Sequence, residues 1–271
     1  MNRWLCSLTH TVPCLAALLF LATLSAFPGE PASAPGQDEL LIDGSFEAIS
    51  SGNQLRNRRT DRKGWYESRR DKRNGESGRK FLKLSTKPIG GNETHKAMIK
   101  ASPEFNTYLS QSFSGPQDGR FSLKWDIYVK EILPPFNRSA FQMIGNASVK
   151  GRGPNGAGPE RFVFLAFENA AAPGKLDLFA FEGISPEKWD QRTLVVSNLD
   201  IKKWHTIVVD VNVPKKVYFV SVPGVTTEPV RLRAFKSKKK SVPEVLTHIS
   251  FASWDDGPGT FYVDNVGRPD S

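Results

Sequence analysis

Sulfur and imidazole are scarce in this chain: 271 residues hold 2 Cys, 3 Met and 4 His. Both cysteines, Cys6 and Cys14, fall within the first fourteen residues, where Arg3 precedes the apolar run from Cys14 to Leu24. This is the layout of a secretory signal peptide, predicted over residues 1–26, with Leu24-Ser25-Ala26 at the cleavage point and Ala32-Ser33-Ala34 as a later alternative. The mature chain then has no cysteine, so the disulfides that secretion usually invites are excluded and stability rests on burial, a bound ion, or both. The run is about half the roughly 20 residues that a membrane-spanning helix needs, and no later segment is longer. The mature histidines His95, His205 and His248 lack the close spacing of a catalytic zinc site. A phosphate-binding loop, a dinucleotide fingerprint and a Gly-x-Ser-x-Gly elbow are all missing.

Helical patterning is also scarce. Its best instance is Ser185 to Trp189, a serine cap followed by proline. Alternation with a period of two is plentiful instead. In Phe121 to Val129 the residues Phe121, Leu123, Trp125, Ile127 and Val129 point one way and Ser122, Lys124, Asp126 and Tyr128 the other. The pattern returns at Ile207, Val209, Val211 and Val213, and at Phe261 and Val263. Shorter β-rich runs at 81–84, 108–113, 140–144, 162–167, 176–181, 194–196, 217–222, 230–234 and 245–251, separated by glycine and proline turns, complete about a dozen strands. The predicted fold is all-β: a two-sheet antiparallel sandwich of jelly-roll type, concanavalin-like or galactose-binding-like, over residues 39–271 behind a flexible leader at 27–38.

The formal net charge is +9, and it is unevenly placed. Between Arg56 and Lys83 stand twelve Lys or Arg against four acids, with a second cluster at Lys236, Lys238, Lys239 and Lys240. Such clusters raise the local potential toward anions. Outside the cell these are acidic polysaccharide or envelope phosphate, not nucleic acid.

Leu41-Ile42-Asp43-Gly44-Ser45-Phe46-Glu47 opens the folded part and Thr260-Phe261-Tyr262-Val263-Asp264-Asn265-Val266 closes it. With Gly64-Trp65 and Ser77 to Leu84 between them, this order resembles secreted jelly-roll carbohydrate-binding modules of the fourth and ninth families. The stretch Lys203 to Asp210 is similar to laminin-G or concanavalin-like lectin sandwiches. The resemblance implies a structural calcium where the first and last strands meet, with Glu47 and Asp264 as ligands and Asp43 as a further candidate.

Sugar sites of such proteins stack aromatic faces on pyranose rings and bind hydroxyls with polar groups. Trp65 and Tyr66 stand beside Arg69 and Arg70 in the basic segment, the combination that an acidic glycan needs; Trp254 and Asp255 offer a second ring and acceptor, with Trp189 and Trp204 as further aromatics. The hydrolase motif Glu-x-Asp-x-x-Glu is absent, and of the alginate-lyase motifs only Tyr128-Val129-Lys130 is present. A lyase remains assemblable from Tyr128 or Tyr262, a histidine and an arginine. The sequence therefore reads as a secreted, periplasmic or cell-surface protein that binds an anionic polysaccharide without catalysis. The alternatives are a lyase or hydrolase with a diverged site, and a structural envelope protein.

Overall fold

The computed structural model describes residues 39–56, 64–70, 80–147, 153–154, 160–184, 191–237 and 241–270. The predicted signal peptide and leader, the predicted helix at 185–189 with Trp189, and the cluster at 238–240 lie outside the described residues, as do the side chains of Arg69 and Arg70.

Strands are numbered in chain order. One sheet runs β1 (Tyr66–Arg70), β4 (Thr107–Gln117), β15 (Leu246–Ser253), β6 (Arg138–Gly145), β7 (Arg161–Asn169), β8 (Lys175–Phe181), β10 (Arg192–Asp200). The other runs β13 (Val230–Arg233), β12 (Val217–Ser221), β11 (Trp204–Asn212), β5 (Arg120–Ile132), β16 (Gly259–Gly267), β3 (Lys96–Lys100), β2 (Leu82–Ser85). Every pairing in these two seven-stranded sheets is antiparallel. The all-β reading therefore holds. A short helix, α1 (Gly52–Arg56), went unforeseen; it is anchored by the buried Leu55.

The core lies between the sheets because the alternation of β5 and β11 is in phase. Ile207 pairs with Trp125 and Val209 with Leu123, so one apolar row faces inward across both strands. Leu109, Ile144, Leu165, Phe167, Leu178, Ile249 and Phe251 meet it from the opposite sheet. Each such side chain withdrawn from water contributes about 1.5–3 kcal/mol.

The β1–β10 sheet is apolar on its outer face as well. Tyr108, Phe141, Met143, Phe164, Ala166, Phe181, Phe235, Ala252 and Trp254 form a second buried cluster. This explains the continuous Phe162-Val-Phe-Leu-Ala-Phe167 run in β7, since a strand buried on both faces has no polar side to alternate with. The segment that brings Phe235 there leaves the edge strand β13 and joins the other sheet. Phe235 N–H donates to Phe162 O at 2.8 Å, and β14 (Lys236–Ser237) pairs in parallel with β9 (Gly183–Ile184). The two ends of the sandwich are clasped by Val266 N–H donating to Gly44 O at 2.9 Å.

Candidate functional site

Residues two apart along a strand share a face, so register across the β1–β10 sheet orders its outer surface into rows. Tyr66, Ser110, Ser250, Met143 and Phe164 form one row from β1 to β7. Ser112, His248 and Gly145 form the next. The Ser110 hydroxyl lies 2.8 Å from Ser68 Oγ and 2.7 Å from Ser250 Oγ, a buried chain of three hydroxyls. His248 Nδ1 is 2.7 Å from Thr247 Oγ1.

The middle of the face is aromatic. Trp254 stacks on Phe141 with centroids 3.9 Å apart, and Phe164 sits 4.8 Å from Phe181. The Arg161 guanidinium lies among these rings, 4.5 Å from Phe164 and 5.1 Å from Trp254, while its Nε donates to Pro154 O at 3.3 Å. Burial pulls its pKa down to about 10, with Glu160 and Tyr108 acting in the opposite direction, so the group stays charged at neutral pH.

Polar pairs close the far end. Arg138 stands opposite Glu168 in register, and Glu168 opposite Asp177. Arg192 donates to Glu168 at 2.5 Å with its guanidinium 4.5 Å from the Phe179 ring, and Arg138 approaches Asp256 at 3.8 Å. Burial lowers the Arg138 pKa and raises those of Glu168 and Asp256. Glu160 Oε1 and Asp256 Oδ1 are buried with no hydrogen-bond partner among the described residues.

The residues expected from the sequence divide between locations. Tyr66 reaches this face, but Trp65 does not: period two turns neighbours apart, and Trp65 packs in the core 5.0 Å from Phe46 with Nε1 donating to Asp43 O. Trp65 and Tyr66 therefore lie on opposite faces of the sheet. Arg69 and Arg70 end β1, the edge strand of this sheet. Trp254 lies on the face; Asp255 is exposed beside it, its N–H donating to Asn106 Oδ1 at 2.8 Å.

Trp204 belongs to the opposite sheet, 5.5 Å from Tyr128, and donates to Ile89 O. Tyr128 and Tyr262 pack together there at 5.9 Å, so neither shares a face with His248. The tyrosines that do are Tyr66 and Tyr108. His205 is tied to Asp200 O at 2.8 Å and His95 to Glu47. Arg138, Arg161, Glu168 and Arg192 escaped notice, because each stands at the end of an apolar run and reads there as a solvated strand terminus.

Of the carboxylates expected to hold calcium, Asp264 has both oxygens matched by protein donors, whereas Asp43 Oδ2 is buried and has no hydrogen-bond partner among the described residues. Asp264 is fully buried; its Oδ2 accepts from Asn92 Nδ2 at 2.7 Å and Thr94 Oγ1 at 2.9 Å, and its Oδ1 from Asn265 N–H at 2.8 Å. Glu47 accepts from His95 N–H at 2.7 Å, and Asp43 Oδ1 from Ala48 N–H at 3.1 Å. The buried Lys96, whose ammonium donates to Thr94 O, supplies positive charge to both Asp264 and Glu47. Among the described residues no three His, Cys, Asp or Glu side chains converge as a metal site. Asp43, Glu47 and Asp264 do not converge on one point in this arrangement.

Comparison with solved structures shows what this architecture resembles. The catalytic domain of a glycoside hydrolase family 131 protein from Coprinopsis cinerea superposes with a TM-score of 0.52 at 12% identity, over 87% of this chain and 95% of that one. The fold is the concanavalin-like sandwich. A sialidase matches with a TM-score of 0.50 at 12% identity over 86% of this chain, which spans only 19% of the sialidase's length. A PL-14 alginate lyase from Aplysia kurodai has a TM-score of 0.45 at 14% identity, over 71% of this chain and 89% of its own. No protein-family model matches the sequence, and neither does any curated protein.

Proposed function

We propose that this is a secreted carbohydrate-binding protein whose glycan lies across the outer face of the β1–β10 sheet, and that the glycan is an anionic polysaccharide. One juxtaposition carries the reading. Tyr66 and the hydroxyl chain Ser68–Ser110–Ser250 lie buried beneath the face directly beside β1, which carries Arg69 and Arg70 and belongs to the segment with twelve Lys or Arg. Basic groups at the entry edge suit the acid groups of such a glycan, above a floor of aromatic and hydroxyl groups. The carbohydrate-active hydrolase that shares the fold supports the class of ligand. The test is retention on acidic-polysaccharide affinity gels: binding is expected at low salt and is expected to weaken as salt screens the contact. Passage unretained at low salt removes the reading.

A second reading rests on His248 and Tyr66, both buried beneath that face, standing within two strand spacings of each other, about 10 Å. Elimination from a uronate needs a base for the proton beside the carboxyl, an acid for the leaving oxygen and a cation for the carboxylate. His248, Tyr66 and an arginine would supply these. The product would show new ultraviolet absorbance from an unsaturated uronate, and silence across a broad polysaccharide panel leaves binding alone.

A further inference from the structure

The far end of the same face differs in charge from the β1 edge. Phe136, in the loop between β5 and β6, is 54% exposed, although large aromatic side chains are normally withdrawn from water. Its loop is pinned on both sides: Leu133 N–H donates to Pro258 O at 2.9 Å, and Asn169 N–H to Asn137 O at 2.9 Å. The ring is held 5.0 Å from the Arg138 guanidinium.

Below it the charges cancel. Arg138 is matched by Asp256 and Arg192 by Glu168, so this end offers no net attraction to an anion. It offers hydrogen-bonding groups of both kinds: guanidinium donors on Arg192 and the carboxylate of Asp256, each side chain being 35% exposed. A fixed aromatic face flanked by balanced donors and acceptors suits hydroxyls and a pyranose ring, not a carboxylate.

We propose that Phe136, Arg192 and Asp256 form a subsite for an uncharged pyranose, so that the bound polymer carries both acidic and neutral sugars. The inference rests on the outer-face reading above. From β1 to β8 the face spans five strand spacings, about 24 Å, room for a run of several sugar rings.

The experiment compares the full chain and Phe136→Ala on two polymers by affinity electrophoresis: polygalacturonate, wholly acidic, and xanthan, which mixes acidic and neutral sugars. The wild-type protein is expected to bind xanthan more tightly. Phe136→Ala is expected to lose about tenfold on xanthan, with its polygalacturonate binding and thermal midpoint unchanged. Phe136→Trp, which keeps a stacking face, is expected to retain wild-type xanthan binding. An unchanged Phe136→Ala, or one weakened equally on both polymers, overturns the subsite and leaves the outer-face reading standing. Wild-type protein that binds neither polymer overturns that reading itself.

Discussion

Trp125 on β5 and Gln142 on β6 tie the two sheets together through the core: the indole Nε1 donates to the amide Oε1 at 2.8 Å, and each residue is 1% exposed. Gln142 Nε2 in turn donates to Ala140 O at 2.9 Å. Trp125→Phe orphans the Gln142 oxygen and Gln142→Leu orphans the indole N–H. Each is expected to cost about 1–3 kcal/mol for the unsatisfied group, beyond any packing loss. The double variant should be less destabilised than the sum of the singles, since no orphan remains. Urea midpoints of the three variants test this; strict additivity would show that the bond adds nothing.

Removing the positive charge beside Asp264 and Glu47 is the sharpest test of the clasp region. Lys96→Met keeps the apolar stem but removes the ammonium that donates to Thr94 O and whose charge favours Asp264 and Glu47, and is expected to cost about 1–3 kcal/mol. Because protein donors already satisfy both oxygens of Asp264, the wild-type thermal midpoint is expected not to move between added calcium and chelator. A rise with calcium would mean that the site rearranges to admit the ion.

Acid sensitivity should pass through His205. Burial lowers its pKa below the ordinary 6.5, and its Nε2 lies 2.8 Å from Asp200 O. As pH falls below about 6.5 the unfolded chain takes up a proton that the folded chain resists, so stability present above that pH is lost. Asp264, Glu168 and Asp256, raised by burial, act in the opposite sense, losing stability as pH rises from the ordinary carboxylate range through their folded values. The difference between wild type and His205→Gln isolates the histidine. Thermal midpoints between pH 7.5 and 5 should fall less steeply in the variant, and parallel curves would clear His205 of the role.

Much of the sandwich was legible because β5 and β11 are buried on one face only, where period two is visible. Lys96-Ala-Met-Ile-Lys100 was not seen as a strand, since lysine at both ends reads as solvated, whereas Lys96 is in fact buried. The site was legible in part. Tyr66 and Trp254 stand out in the sequence as aromatics near charge, and both lie buried beneath the outer face. Arg138, Arg161, Glu168 and Arg192 converge only through pairing of β6, β7, β8 and β10, which no local pattern encodes.

The basic edge gives a functional prediction. Replacing Arg69 and Arg70 together with glutamine is expected to lower the salt concentration that elutes the protein from an acidic-polysaccharide gel, with no change in thermal midpoint. Elution at the wild-type salt would move the anionic contact away from β1.

Gly44 gives a steric one. A Cβ there would lie 1.6 Å from Val266 O, well inside van der Waals contact and against backbone that cannot swing away. Gly44→Ala is expected to destabilise by about 1–3 kcal/mol or more, read from the urea midpoint, whereas Gly91→Ala, with open space around the site, should lose only the strain of its positive φ.

The order of the strands also sets when the molecule can fold. β15 lies between β4 and β6 and β16 between β5 and β3, so the last two strands in sequence are interior to the two sheets. A nascent chain that ends before Leu246 has each sheet split in two, with unpaired backbone along four inner edges. Local collapse during synthesis therefore cannot close either layer. Pairings within each half can form earlier, but the halves of both sheets are joined only by β15 and β16, so insertion of the β15–β16 segment completes both layers together.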